Sequence, residues 1–324
     1  MKAIVTGAAG FIGFHVARRL AREGFEVIAI DNLNDYYQVA LKETRLSALD
    51  GQSNIRFARA NIARPEELRA AIAGDTDADV IVHLAAQAGV RYSVENPAAY
   101  VDANVQGQVT VFEQARVMPK QPPVVYASSS SVYGANTKVP FSESDPVNNP
   151  VSVYAATKRS AELLAYSYAH VHKVASTGLR FFTVYGPYGR PDMAPWLFTD
   201  AISKGEPIKV YNHGKMARDF TFIDDIVSGV LGAVNRILSN PAETAPVYNL
   251  GNNNPVALLR FIEIIEQAVG REAVKKFEPM PPADVERTYA DIDLATRDLG
   301  FCPKTTLEEG IPLFVEWFRG YNGR

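Results

Sequence analysis

The sequence predicts an α/β fold: a doubly wound parallel sheet with helices on both faces. Three observations predict it. Short apolar runs alternate with amphipathic stretches through the first half of the chain. One of these runs, residues 79–85, is apolar almost throughout, as a strand buried on both faces must be. The first run leads directly into a glycine-rich turn that opens a helix. Alternation of this kind implies right-handed crossovers between parallel strands.

The elements follow in order. Lys2–Thr6 reads as a strand. Phe11–Arg22 places Phe11, Val16 and Leu20 on one helical stripe, with Gly24 as a C-terminal cap. Residues 27–31 form the second strand and 55–58 the third, and 65–73 reads as a helix with proline in its first turn. Residues 79–85 are the fourth strand, 97–117 one long helix, 123–128 the fifth strand, 153–171 a helix and 175–181 the sixth strand. The second half is less regular. Patches rich in Asn, Pro and Gly at 142–150, 185–195 and 251–255 read as loops over a site, because apolar elements follow each closely.

Composition narrows the function. A chain of 324 residues buries a sizeable core without disulfides or metals. A formal net charge of -3 provides no global field for nucleic acid or an anionic membrane, so any anionic ligand must be held by local groups. The lone cysteine, Cys302, rules out an internal disulfide and favours a reducing compartment. The amino terminus enters the strand Ala3-Ile4-Val5 with no basic stretch before it, and no apolar run approaches the roughly 20 residues of a membrane helix. A cytoplasmic protein is expected. Five histidines lack ligand spacing, His83 sits in a buried strand run, and no metal is expected.

The first strand runs into Gly7, Gly10, Phe11, Ile12 and Gly13, a Gly-x3-Gly-x2-Gly turn. Glycines there permit a tight turn and close approach of backbone to a pyrophosphate. The helix N-terminus adds unpaired N–H groups and partial positive charge. A bare tight turn would use the same glycines, but an acid, Asp31, ends the second strand 18 residues past Gly13. A carboxylate there accepts from adenosine ribose hydroxyls and repels a 2′-phosphate, and the next four residues contain no arginine. NAD is therefore expected over NADP.

Tyr154 and Lys158 stand four apart on a predicted helix and share a face. A phenol near pKa 10 is a poor base at neutral pH, and an adjacent ammonium favours the phenolate. Such a pair alone is usually a solvated helix face. Here it follows the fifth strand by one loop, and ligands bind at the carboxyl ends of parallel strands. That strand ends in a serine run, residues 128–131, whose hydroxyls can bond a sugar oxygen and shuttle a proton.

Taken together, the glycine turn, Leu84-Ala85-Ala86, the serine run and Tyr154-x3-Lys158 resemble the extended short-chain dehydrogenase/reductase superfamily over essentially the whole chain. The resemblance implies a Rossmann-like NAD domain, residues 1–180 with part of 219–250 returning to it. It further implies a smaller mixed α/β C-terminal substrate domain, mainly 181–324, and a homodimer built on two helices from each subunit. It makes Ser129, four before Tyr133, the catalytic hydroxyl beside Tyr154 and Lys158. To NAD it assigns, besides the glycine turn and Asp31, Asn32, Asn61, Ile62, Leu84, Ala85, Ala86, Asn104, Tyr154, Lys158, Phe181 and Val184.

Finer matches at residues 31–37, 85–93, 180–187 and 189–194 resemble UDP-glucuronate 4-epimerases. UDP-galactose epimerases typically carry Asn where this chain has Thr183. On that resemblance Arg218 meets the diphosphate, Asp284 the nucleotide hydroxyls, and Arg190, Thr183 and Ser130 the sugar carboxylate, with Gln87 and Arg91 also on the substrate. A surface salt bridge is the ordinary fate of any one arginine, and a structural role suits Arg91 about as well. Three alternatives stay open: a UDP-glucose/UDP-galactose 4-epimerase, a UDP-glucuronate decarboxylase, and an NAD-sensing protein without catalysis. A 4,6-dehydratase is disfavoured, because Ser130-Ser131 stands where those enzymes place an acid pair.

Overall fold

The computed structural model describes residues 1–240, 245–281 and 285–323. In chain order the elements are β1 (Lys2–Thr6), α1 (Phe11–Arg22), β2 (Glu26–Asp31), α2 (Val39–Ser47), β3 (Ile55–Arg59), α3 (Pro65–Ala71), β4 (Val80–His83), α4 (Tyr92–Glu95), α5 (Pro97–Tyr100), a π-helical segment (Val101–Gln106), α6 (Gly107–Val117) and β5 (Val124–Ser129). A 3-10 turn (Ser130–Tyr133) follows, then α7 (Val153–His172), β6 (Ser176–Phe181), β7 (Thr183–Tyr185), α8 (Ala194–Lys204), β8 (Pro207–Tyr211), β9 (Ala217–Phe222), α9 (Ile223–Ser239), β10 (Val247–Leu250), β11 (Pro255–Ala257), α10 (Leu258–Val269), β12 (Val274–Glu278), α11 (Asp293–Leu299) and α12 (Leu307–Tyr321).

Seven strands form one sheet in the order β10-β6-β5-β4-β1-β2-β3, parallel throughout. Alternation along each strand divides the core. Val5, Val27, Val82 and Val125 pack with Phe14, Leu20, Ile226 and Val230 of α1 and α9, while Ile4, Ile28, Ile81 and Val124 belong to a second cluster with Leu68, Phe112 and Ala165 of α3, α6 and α7. Each fully buried aliphatic or aromatic side chain contributes about 1.5–3 kcal/mol, so helices cover both faces. The strand order reverses between β1 and β4, which opens a crevice at their carboxyl ends.

A mixed three-stranded sheet, β11-β9-β7, and a parallel pair, β12-β8, belong to the second half. They surround a core in which Phe220 stacks on Phe261 with ring centroids 4.4 Å apart. Among the described residues, no helix is long and apolar enough to cross a membrane.

Two expectations are corrected. The long helix over 97–117 is interrupted by the π-helical turn at Val101–Gln106. That turn carries Asn104, which is buried and uses its amide on Gln87 N (2.8 Å), Gln87 O (3.0 Å) and Thr157 Oγ1 (3.0 Å). A π-turn inside a helix commonly marks such a bonded site. In addition, α2, absent from the sequence reading, is a helix of nine residues that buries Leu41, Lys42 and Arg45.

Candidate active site

A cavity of about 830 Å³ opens at the carboxyl ends of the sheet strands. Its floor at one end is the glycine turn. Gly7 has φ +74°, and a Cβ there would stand 2.6 Å from Ala85 N, while one at Gly13 would stand 2.0 Å from Gly7 O. The turn therefore admits no side chain, and Gly10 is the N-cap of α1, with no side-chain cap on the helix's first N–H groups. Asp31 ends β2, buried, with Oδ2 accepting from Ala9 N at 3.1 Å and Oδ1 from Leu33 N at 2.8 Å. It thus ties the glycine turn to the second strand while lining the cavity. Asn32, Asn61, Ile62, Leu84, Ala85 and Ala86 line the same end. A bare backbone cradle at a helix N-terminus, with a carboxylate one strand away, fits a dinucleotide.

Tyr154 lies in the first turn of α7, whose N-cap Ser152 accepts from Ala155 N at 3.1 Å. Burial pushes the phenol's pKa up, opposed by hydrogen bonding to Ser129 and by the Arg190 charge, while Asp192 adds to the rise. Lys158 is buried one turn on, with Nζ donating to Ala127 O at 2.9 Å, and burial pushes its pKa down to about 8. This differs from the sequence reading, in which Lys158 lowers the Tyr154 pKa. The physical reason is that desolvation of the phenol outweighs its partners, and the cation that offsets it is Arg190.

Phe181, Thr183, Val184, Ser129, Ser130, Gln87 and Arg91 all line the cavity. Arg91 sits over the Tyr211 ring, 4.7 Å from its centroid. Arg218, on β9 at the far end, donates to Val285 O (2.6 Å), Glu286 O (3.1 Å) and Ala217 O (3.0 Å). Its guanidinium is thereby anchored to backbone, and Arg218 lines the cavity. Asn104 does not line the cavity; its amide is spent on Gln87 and Thr157, so it fixes the backbone that does. Asp284 lies outside the described residues.

A family model, described as the NAD dependent epimerase/dehydratase family, matches residues 3–251. The chain belongs to the NAD dependent epimerase/dehydratase family. Among members of this family, it is 47% identical to a probable UDP-glucuronate 4-epimerase of Rhizobium meliloti, covering 98% of this chain and 97% of that one. It is likewise 47% identical to Protein CapI of Staphylococcus aureus, over 99% of each chain. The UDP-glucuronic acid 4-epimerase of Bacillus cereus, solved with UDP-glucuronic acid and NAD, superposes with a TM-score of 0.90 at 30% identity, covering 99% of this chain and 100% of that one.

The structure also brings in residues that sequence reasoning missed. Lys42 lines the cavity beside Asp31 and donates to Asn34 O (2.7 Å) and Asn34 Oδ1 (2.6 Å). Arg45, fully buried, binds Ala9 O (2.8 Å) and Tyr188 O (2.8 Å), joining the glycine turn to the loop before Arg190. Asp192 pairs with Arg190. The available signal was spacing: Lys42 and Arg45 are three apart, as one helix face requires, and Asp192 stands two past Arg190 across a proline.

Proposed function

We propose that this NAD-dependent epimerase inverts C4 of UDP-glucuronate to give UDP-galacturonate. The observation that carries the reading is the charge of Arg190 beside Tyr154, in one cavity that also reaches the glycine turn and Arg218. A planar guanidinium suits a carboxylate, and a neutral hexose has no use for it there. The similarity to UDP-glucuronate epimerases supports the same substrate.

The glycine turn, Asp31 and Lys158, which line one cavity, would hold NAD, and the bound cofactor would supply hydride acceptance and return. Tyr154 Oη takes the proton of the C4 hydroxyl, with Ser129 bonded to the same oxygen as relay. The phenol's burial makes it a strong base once deprotonated, and the Ser129 hydrogen bond and the Arg190 charge favour that deprotonated form. Arg190, with Thr183 and Ser130, holds the C5 carboxylate. The ketone at C4 makes the sugar a β-keto acid, which loses CO2 when the breaking bond aligns with the carbonyl π system. Anchoring the carboxylate keeps that bond near the ketone plane and keeps its charge where it is. Arg218 and Asp284 serve the nucleotide, and Gln87 and Arg91 the sugar side.

In this reading residues 1–180, with part of 219–250, form the NAD domain and 181–324 mainly the substrate domain. Exposed Leu163, Tyr166 and Val171 on α7 support a homodimer across that helix. The single cysteine supports a cytoplasmic location. The test is product analysis of purified protein with UDP-glucuronate, UDP-glucose and UDP-xylose in parallel. UDP-galacturonate from UDP-glucuronate is expected. Preference for UDP-glucose would make it a galactose-type epimerase, and UDP-4-keto-pentose as the main product would make it a decarboxylase.

A further inference from the structure

Arg190 does not meet the cavity as a bare cation. Its Nε donates to Asp192 Oδ1 at 3.0 Å and its Nη2 to Asp192 Oδ2 at 2.5 Å. Asp192 Oδ2 also accepts from the Tyr36 hydroxyl at 3.1 Å. Tyr36 is itself fixed. Its ring packs on Tyr92 with centroids 5.0 Å apart, and its hydroxyl lies where a Cβ on Gly89 (φ +98°) would stand, 2.2 Å away. Asp192 is thus held from behind while it grips one edge of the guanidinium. A guanidinium carries five N–H groups. Two are given to Asp192, and among the described residues the other three, including both on Nη1, have no partner in the structure.

We propose, on the basis of the function proposed above, that Asp192 sets the substrate preference of the site: it clamps one edge of Arg190, leaves the other for the sugar carboxylate, and cancels the arginine's charge when the sugar has none. The pair side chains are only 22% and 29% exposed, so the charge is poorly served by water. Without Asp192, a neutral sugar entering the site would bury a lone cation, which is costly. A uronate would bind more tightly, and so would its C4 epimer, because both carry the same carboxylate. Asp192 therefore trades uronate affinity for product release and for tolerance of neutral sugars.

A second consequence falls on the base. The phenol of Tyr154 faces the Ser129 hydroxyl, the Arg190–Asp192 pair and the edge of Tyr100, whose ring centroid is 6.1 Å away, with Lys158 one turn along α7. Arg190 favours the phenolate and Asp192 opposes it. Removing the Asp192 charge should move the rate profile to lower pH.

The test uses the wild-type holoenzyme and its Asp192→Asn, Asp192→Glu and Tyr36→Phe variants. Dissociation constants for UDP-glucuronate and UDP-glucose are measured by calorimetry at fixed salt, and kcat is followed against pH. For Asp192→Asn, UDP-glucuronate should bind roughly 3- to 10-fold more tightly and UDP-glucose more weakly, the scale of a partly exposed charge pair. Its kcat profile should shift acidward, Asp192→Glu should restore the wild-type ratio, and Tyr36→Phe should move the ratio less in the same direction. An unchanged ratio, or equal weakening of both ligands, with an unmoved pH profile would overturn the role of Asp192. A wild type that binds UDP-glucuronate no better than UDP-glucose and does not turn it over would instead overturn the proposed function, and this inference with it. Should Asp192→Asn fail to fold, Tyr36→Phe carries the same comparison, with Asp192→Glu as the control that keeps the wild-type ratio.

Discussion

Glu162→Gln removes the charge at the centre of a buried network beneath the site. Glu162 accepts from Arg180 Nε at 2.8 Å and Arg180 Nη2 at 2.9 Å, from the Ser128 hydroxyl at 2.6 Å and from Arg159 Nη1 at 2.8 Å. Arg180 donates a further bond to the Tyr133 hydroxyl at 3.0 Å, which donates in turn to Asn249 Oδ1 at 2.6 Å. The network joins α7, β5, β6, β10 and the turn after β5; of these, β5 carries Ser129, and α7 carries Tyr154 and Lys158. Both Arg180 and Glu162 side chains are 2% exposed. A glutamine matches the shape of the glutamate, but its NH2 faces donors, and the guanidinium keeps its charge with no counter-ion. Breaking a buried pair in this way costs about 3–5 kcal/mol. Arg159→Met is the comparison, since Arg159 is 29% exposed and its loss leaves Glu162 paired with Arg180; about 1 kcal/mol or less is expected. Urea unfolding followed by circular dichroism measures both. Because Ser128 precedes Ser129 and Glu162 lies one turn past Lys158, kcat should fall as well. A Glu162→Gln destabilisation no larger than that of Arg159→Met would refute the reasoning.

Tyr154→Phe should lower kcat by on the order of 10²–10⁴-fold, as expected for loss of a general base, with NAD retained in the purified protein; near-normal turnover counts against the assignment. Arg190→Ala or Thr183→Ala should slow epimerisation and raise the share of UDP-4-keto-pentose, read by mass spectrometry after prolonged incubation with UDP-glucuronate; unchanged CO2 release would free both residues of that role. Asp219 is fully buried, and burial pushes its pKa up from 3.8 to about 6 against three backbone N–H donors, Asn252, Asn253 and Ala290. The folded state therefore holds a proton that the unfolded chain has lost between about pH 4 and 6, so this residue's contribution makes stability fall as pH rises through that window, by about 3 kcal/mol. Asp219→Asn should flatten that part of the stability–pH curve, and an unaltered slope would contradict it.

Much of the dinucleotide end was legible because its logic is local. The turn at Gly7, Gly10 and Gly13 leaves no room for Cβ atoms whatever surrounds it, and strand alternation put Asp31 at the end of β2. Helical spacing alone put Tyr154 and Lys158 on one face of α7. Other features depend on partners far away in sequence. Nothing near α2 marks nine residues as a helix; Arg45 and Lys42 make it one by finding carbonyls in the 188–189 loop and at Asn34. The break in the 97–117 helix comes from Gln87 and Thr157, which claim the Asn104 amide.

The sequence by itself determined the parallel sheet, the glycine turn and the placing of Tyr154 and Lys158 on one face of α7, since each follows from backbone sterics and periodicity within a few residues. Only the tertiary structure decided the electrostatics of the site. Burial, rather than Lys158, dominates the Tyr154 pKa; Asp192 with Tyr36 behind it meets Arg190; and Glu162 neutralises Arg180 beneath the strand ends. A charge is set by what surrounds it once water is excluded, and the fold brings those surroundings together from opposite ends of the chain.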